Sequence, residues 1–273
     1  MQRGNQMKEQ LKNTLIAGFT PDKEKVLKPK EPRKTTKAKR IDAGQFRAND
    51  RDRYILRFAN EQLAITVDQL RYLLAKTSEK KKDLKSETMV SMPTAIRYIK
   101  KLHEAGYILT ERINNKLYIL ASAKAIKDFD LDYKYYEPTN WNHLAHIVEV
   151  RLQYEREGFT WICERELRKK YSRNEKFTQH FPDGEIVFEN AKFAVEVELS
   201  VKTTARRKRI LEVYGSQERL NKTLFGYKYE KVLYFVNQKT EGTTREAVKK
   251  SGLQIFEVID FKEIKNYESN HAN

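Results

Sequence analysis

Acidic side chains and a lysine gather in one stretch of the chain, between His180 and Lys202. The stretch predicts two β-strands joined by a turn at Glu189 to Lys192, because apolar and polar residues alternate with a period of two. The charged side chains that this pair of strands brings together are Asp183, Glu196, Glu198 and Lys202. Carboxylates placed in this way suit a hard cation such as Mg²⁺, which neutralises phosphate charge and activates water for phosphodiester hydrolysis.

The same residues resemble the core of the PD-(D/E)xK nuclease superfamily. The resemblance implies that Asp183 and Glu196 hold Mg²⁺ and that a lysine helps to position the attacking water. Glu198 stands where that family usually has its lysine, and Lys202 lies four residues later on the same strand face. All four residues are therefore candidate catalytic residues, with Mg²⁺ as the cofactor of an active site. A solvated strand face without chemistry is the alternative.

Net charge is the strongest signal in the composition. The 273 residues include 54 Lys and Arg against 38 Asp and Glu, which gives a net charge of +16. This excess favours a polyanionic partner, with nucleic acid ahead of an anionic membrane. No apolar run approaches the length of a membrane span, so no membrane partner is expected. The single cysteine, Cys163, argues against a disulfide framework or a cysteine-based zinc site and predicts a cytoplasmic location.

Residues 1–47 predict a disordered basic arm. Lys and Arg are dense from Pro21 to Arg40, and Pro29 and Pro32 interrupt any helix. We expect such an arm to contact DNA phosphates without sequence preference. A solubilising tail is the alternative.

Residues 48–133 predict three amphipathic helices followed by two short strands. The third helix follows Ser91, has Pro93 in its first turn and ends at Gly106. Its predicted buried stripe comprises Ala95, Ile96, Ile99 and Leu102. Its predicted outer face comprises Thr94, Arg97, Tyr98 and Lys101.

This order of elements resembles a winged helix-turn-helix, and the segments LHEAGYI and NNKLYIL are its most family-like parts. The resemblance implies that the third helix enters the major groove of DNA and that the hairpin contacts the backbone or the minor groove. The residues expected to face DNA are Thr94, Arg97, Tyr98 and Lys101 on the helix and Arg112, Asn114, Asn115 and Lys116 in the wing. Docking of another protein is the alternative use of such a module.

Residues 134–273 predict a second domain around the acidic strands. A periodic helix is predicted from Trp141 to Glu157, and a short helical stretch from Trp161 to Leu167. A helix from Thr204 to Asn221 and further alternating strands and helices follow the acidic pair. The predicted fold class is therefore α/β (α+β), an N-terminal winged helix-turn-helix followed by a PD-(D/E)xK nuclease-like α-β-β-α-β domain.

Two more groups complete the candidate site. The nuclease family also has a glutamate on its first helical segment, which implies Glu166 or Glu164 here; we take Glu166 as the third metal ligand, beside Asp183 and Glu196. Arg206 and Arg207 open the helix that follows the acidic strands and are expected to contact the DNA backbone.

The order of both domains resembles the replication-relaxation family of plasmids and mobile elements. The resemblance covers about residues 50 to 260 and includes the segments WNHLAHIVEVRL, HFPDGEIVF and FAVEVELSVKT. It implies a DNA-binding protein of replication or mobilisation whose partners are double-stranded DNA and relaxase or replication proteins, and recognition of a palindrome would make it a homodimer. An active metal-dependent endonuclease and a transcriptional regulator with an effector domain are the alternatives.

His143 and His146 form an H-x-x-H pair on the predicted helix. The pair lacks the glutamate and spacing of the metalloprotease H-E-x-x-H motif, so helix capping or packing is the expected role. The chain has no Walker A pattern and no glycine-rich dinucleotide loop, which argues against nucleotide-driven chemistry.

Overall fold

The computed structural model describes residues 47–77, 89–172 and 180–264. The predicted basic arm, residues 1–47, lies outside this range apart from Arg47. The described residues from Ala48 to Ile264 belong to one compact unit. None of the described helices has the length and apolar composition needed to cross a membrane. The described chain mixes helices with two sheets, so the α/β (α+β) class is confirmed.

The first half of the described chain consists of helices around a three-stranded antiparallel sheet of order β1-β3-β2. Its elements are α1 (Asp50–Gln62), β1 (Ile65–Thr66), α2 (Val67–Lys76), α3 (Met92–Glu104), β2 (Ile108–Ile113), β3 (Lys116–Ala121) and α4 (Ala123–Asp128). Capping boxes start α1 at Asn49 and α2 at Thr66, where each cap side chain and the side chain three residues later satisfy otherwise unpaired backbone N–H groups.

The hairpin between β2 and β3 is fixed by its two central residues. Ile113 pairs with Lys116, which leaves a two-residue loop of Asn114 and Asn115. Both asparagines have positive φ, 49° and 64°. This is the twist that a two-residue hairpin loop requires, and asparagine adopts it more easily than most residues.

The second half is a five-stranded sheet of order β4-β5-β6-β7-β8 with helices on both faces. Its elements are α5 (Trp141–Arg156), β4 (Thr160–Cys163), α6 (Glu164–Tyr171), β5 (Gly184–Phe188), β6 (Ala191–Glu198), α7 (Thr204–Leu220), β7 (Lys231–Val236), α8 (Glu241–Ser251), β8 (Phe256–Asp260) and a 3₁₀ turn (Phe261–Glu263). The strands β4, β5 and β6 pair antiparallel, whereas β6, β7 and β8 pair parallel.

Strand β4 corrects the predicted helical stretch, because Trp161 and Ile162 are extended and the helix begins only at Glu164. The indole of Trp161 occupies the space above Gly184 on β5. A Cβ at position 184 would lie 2.0 Å from the ring, so only glycine fits this register.

Both faces of β6 are buried; one carries apolar side chains and the other carries two glutamates. Val197 pairs with Phe235 of β7, whose ring contacts Tyr154 of α5, so the apolar side chains of β6 face α5. The alternate residues Glu196 and Glu198 point to the opposite face, which α7 covers.

Helix α5 packs against both sheets. Its first turns contact Tyr118 and Leu120 of β3, and the side chain of Gln69 on α2 donates a hydrogen bond of 2.8 Å to the carbonyl of Ala145. The predicted division at residue 133/134 therefore falls within one compact unit.

Arg151 of α5 is the most buried ionic link between the two halves. Its guanidinium lies 2.8 Å from Glu61 of α1 and 2.7 Å from Glu155, and it stacks 3.9 Å above the ring of Phe58. The side chain is only 8% exposed, so its charge depends on these partners.

We expect Arg151→Ala to lower the free energy of unfolding by about 3–5 kcal/mol, because two little-exposed carboxylates lose their cation. Urea denaturation measures this change. Arg245→Ala is the matched control, since its 2.9 Å pair with Glu241 is exposed and is worth only about 0.3–0.5 kcal/mol. Equally small losses in both variants would contradict the role of Arg151.

Candidate functional site

The carboxylates predicted from the sequence do lie together, at the edge where β6 ends. Asp183 extends the β5–β6 pairing: its backbone N–H donates to the carbonyl of Val195, at 2.9 Å, and its carboxylate accepts from the N–H of Val197, at 2.7 Å. This places Asp183 beside Glu196 on the central strand. Glu198 follows on the same face of β6.

Glu196 is 1% exposed and is neutralised by partners from two other segments. Its Oε1 lies 2.6 Å from Nε2 of His180 and 2.5 Å from the hydroxyl of Tyr214 on α7. Since a carboxylate only accepts, both partners donate to it. Burial, reinforced by the charge of Glu196, raises the pKa of Tyr214 well above its ordinary value, so the phenol keeps its proton.

Asp183 pairs with His143, which comes from the first turn of α5. Nε2 of His143 lies 3.3 Å from the carboxylate and 3.1 Å from the carbonyl of Val197. Burial alone would raise the pKa of Asp183, but His143 and the Val197 N–H outweigh it and hold that pKa below its ordinary value. His146 points elsewhere, onto the ring of Phe261, so the H-x-x-H pair does not share one site.

Lys202 contacts the candidate site through Glu198. Its ammonium lies 2.8 Å from the carboxylate, and both side chains are largely buried. Burial raises the pKa of Glu198, and the cations of Lys202 and Arg207 oppose this rise. The guanidinium of Arg207 also donates to the carbonyl and hydroxyl of Thr243 on α8, whereas Arg206 is exposed.

Glu166, the predicted third metal ligand, is not among the residues that contact Asp183, Glu196 or Glu198. Glu166 is exposed and lines a cavity of about 490 Å³ beside Asp132 and Tyr133, between α6 and the first half. Glu164, the other alternative, is at the cluster: burial raises its pKa and the charges of Asp183 and Glu196 add to this, while Arg168, 2.6 Å away, opposes it. Residues two apart on a helix do not share a face, so only one of the two could point here.

The described residues do not fit a Mg²⁺ ion in this arrangement. No three His, Cys, Asp or Glu side chains among them converge as a metal-binding group. Mg²⁺ needs carboxylate oxygens that are open to it and to its waters. Here each of the three carboxylates, Asp183, Glu196 and Glu198, already contacts a hydrogen-bond donor or a cation of the chain. The side chains that supply these contacts are two histidines, a tyrosine and a lysine.

The two histidines were not among the candidate site residues. His180 lies three residues before Asp183, and His143 was seen only as part of the H-x-x-H pair. A histidine beside a predicted active-site aspartate was the available signal for His180. Nothing in the sequence around Tyr214 indicates that it belongs to the site, because it contacts Glu196 only when α7 packs onto the sheet.

The second candidate surface is the outer side of α3. Arg97 is exposed, as predicted, whereas Thr94 is half-buried, and the exposed side chain of Lys101 brings its ammonium within 3.4 Å of the carboxylate of Asp52. In the hairpin, Arg112, Asn114 and Asn115 are exposed and Lys116 is half-buried.

The outward placement of Tyr98 is wrong, and so is the inward placement of Ile96. Tyr98 is 7% exposed, and its hydroxyl donates to the fully buried carboxylate of Asp52, at 2.8 Å. Ile96 is 45% exposed. The buried stripe runs through Ala95, Tyr98 and Leu102, spaced by three and four residues, and the acceptor supplied by α1 satisfies the phenol inside it.

Comparisons with protein-family models, with curated proteins and with solved structures find no match to this chain. The family resemblances of the sequence therefore stay predictions, and functional assignment rests on the geometry of the two surfaces.

We expect stability to depend on pH through His180. Burial alone would lower its pKa, but the facing carboxylate of Glu196 outweighs this and raises the pKa above the ordinary 6.5. A raised folded-state pKa adds stability that is complete below about pH 6.5 and is lost as the pH rises through the folded value, with a slope of at most about 1.4 kcal/mol per pH unit for one proton. Unfolding free energies measured from pH 6 to pH 9 test this.

His180→Gln should flatten the pH dependence in that window, because glutamine can donate to Glu196 but does not titrate. His103→Gln, at an exposed position of α3, is the control and should keep the wild-type slope. Part of the slope remains in His180→Gln, since the pKa of His143 is also raised once the carboxylate of Asp183 outweighs its burial. A slope identical to wild type in His180→Gln would show that the His180–Glu196 pair does not form.

Proposed function

We propose that this protein binds specific sites on double-stranded DNA, with α3 in the major groove and the β2–β3 hairpin on the backbone or minor groove. The observation that carries the proposal is the cationic outer side of α3, where Arg97 and Lys100 are exposed beside Lys101. The order α-β-α-α-β-β and the sheet order β1-β3-β2 support a winged helix-turn-helix, whose third helix enters the major groove.

Charge favours DNA over a protein at this surface. The net charge of +16 suits a polyanion. Lysine is depleted at the centre of protein–protein interfaces, although arginine is enriched there. On α3 the exposed cations Arg97, Lys100 and Lys101 outnumber the one exposed carboxylate, Glu104, which lies 3.7 Å from Lys100; this balance suits phosphates and base edges.

The second half is proposed as a scaffold that holds the DNA-binding half rather than as a cutting domain. Its order of elements supports a PD-(D/E)xK-like topology, since an antiparallel trio of strands is followed by a helix and a parallel strand. Its carboxylates are nevertheless compensated by histidine, tyrosine and lysine. Replication or mobilisation of a plasmid or mobile element, with relaxase or replication proteins as partners, is the setting that the sequence resemblance implies and is part of this proposal.

A metal-dependent endonuclease is the second candidate. The proximity of Asp183, Glu196 and Glu198 to Lys202 favours it, because these are the residue types that phosphodiester hydrolysis uses. Cutting would require that a cation displace His143 and His180 from the carboxylates. The two candidates differ in whether DNA is cleaved, and this difference can be measured directly.

Arg97→Ala is expected to weaken binding to the specific site by about 1–3 kcal/mol, the range for a base contact. Lys101→Ala should cost less, because its ammonium is shared with Asp52. Fluorescence anisotropy at several salt concentrations measures both, after the site has been selected from random duplexes. Lys249→Ala, which removes one exposed cation from α8, is the control and should leave affinity unchanged. Equal affinities for all four proteins would remove α3 from the interface.

Supercoiled plasmid that carries the selected site should stay intact with Mg²⁺, with Mn²⁺ and with EDTA, while a gel shift shows binding. Gel electrophoresis of the plasmid measures nicking. Asp183→Asn and Glu196→Gln, which keep the shapes of the side chains, are run beside the wild type. Metal-dependent nicking that both variants lose would establish the endonuclease and overturn the scaffold role.

A further inference from the structure

Two large apolar side chains are exposed on the first turns of α3. Met92 is 43% exposed and Ile96 is 45% exposed. They are four residues apart, so they lie next to each other on one side of the helix. A single exposed apolar residue is ordinary on a protein surface. A neighbouring pair at the start of a helix that carries exposed cations suits a partner that accepts both kinds of side chain.

A second copy of the chain does not fit this surface. A symmetric dimer through this patch would bring the cations of both copies, Arg97 and Lys100, into one interface, with Glu104 as the only acidic residue of α3 to offset them. Like charges opposed across an interface cost several kcal/mol. An apolar protein partner is disfavoured for a related reason, because it would strip water from the same cations.

The major groove of DNA offers both features together. Its phosphates attract cations, and its base edges carry one apolar group, the C5 methyl of thymine. Residues near the N-terminus of a recognition helix are the ones that contact base edges. Ile96 is the fifth residue of α3, one position before Arg97, so both side chains would meet the same few base pairs.

We propose that Ile96, with Met92 beside it, recognises thymine through its C5 methyl group and that the DNA site contains a thymine at this position. The inference rests on the proposed function and adds the base that α3 selects. Ile96 supplies apolar contact to the methyl group, and Arg97 supplies hydrogen bonds to a neighbouring base or phosphate. The exposed apolar pair would thus be buried only in the complex.

The test replaces each thymine of the selected duplex by deoxyuridine, which removes only the C5 methyl group. Wild-type protein should bind the duplex about fourfold more weakly when the contacted thymine is replaced, the effect of one buried methyl group. Ile96→Ala should lose most of this fourfold difference, because the shorter side chain makes less contact with the methyl group. Ile96 is half exposed, so this variant is expected to fold, and a thermal melt checks it. Leu220→Ala, at an apolar position of α7 that is 61% exposed, is the control and should keep the fourfold difference.

The outcomes separate the two levels of the proposal. Binding of a specific duplex with no loss at any deoxyuridine position would overturn thymine recognition and leave DNA binding intact. A selected site without thymine would also overturn thymine recognition and leave DNA binding intact. So would a fourfold preference for thymine that survives in Ile96→Ala. Failure to bind any duplex would overturn DNA binding itself, and thymine recognition with it.

Discussion

The second half of the structure depends on the burial of two carboxylates on its central strand. Glu196 and Glu198 are each 1% exposed, on a strand that is covered on both faces. A buried carboxylate without partners is very costly, so the segments around the strand must bring donors to it. His180 comes from the segment before β5, Tyr214 from α7 and Lys202 from the segment after β6. The network thereby fixes how α7 lies on the sheet.

Helix α5 extends this constraint to the first half of the chain. Its N-terminal turn supplies His143 to Asp183, and Arg151, two turns further on, reaches Glu61 and Phe58 of α1. One rigid element therefore contacts both the carboxylate cluster and the helices that position α3. Asp52 continues the chain of contacts, because its carboxylate accepts hydrogen bonds from the backbone N–H of Asn49 in the capping box of α1 and from the hydroxyl of Tyr98. Buried polar groups behind α3 hold its inner side, and among its exposed residues Lys101 also reaches Asp52.

Sequence patterns predicted what depends on local periodicity. The period of a strand is two, so the common face of Glu196 and Glu198 followed from their spacing alone. The apolar stripe of a helix is wider and less regular than that of a strand. The pattern predicted Ile96 inside and Tyr98 outside, because a tyrosine is expected at the surface unless its hydroxyl has an acceptor. That acceptor is Asp52, which lies 46 residues away in the sequence. The sequence also could not predict that the carboxylates have hydrogen-bond donors, since the donors His143 and Tyr214 come from separate helices.

The Arg151 link also limits how such a chain can change over time. The guanidinium belongs to one half, whereas its carboxylate Glu61 and its stacking ring Phe58 belong to the other. Recombination that exchanged the first half for an unrelated unit would leave the buried guanidinium with Glu155 alone, without Glu61 and Phe58. The structure therefore favours change by substitution on the surface of α3 and the hairpin over exchange of the whole first half.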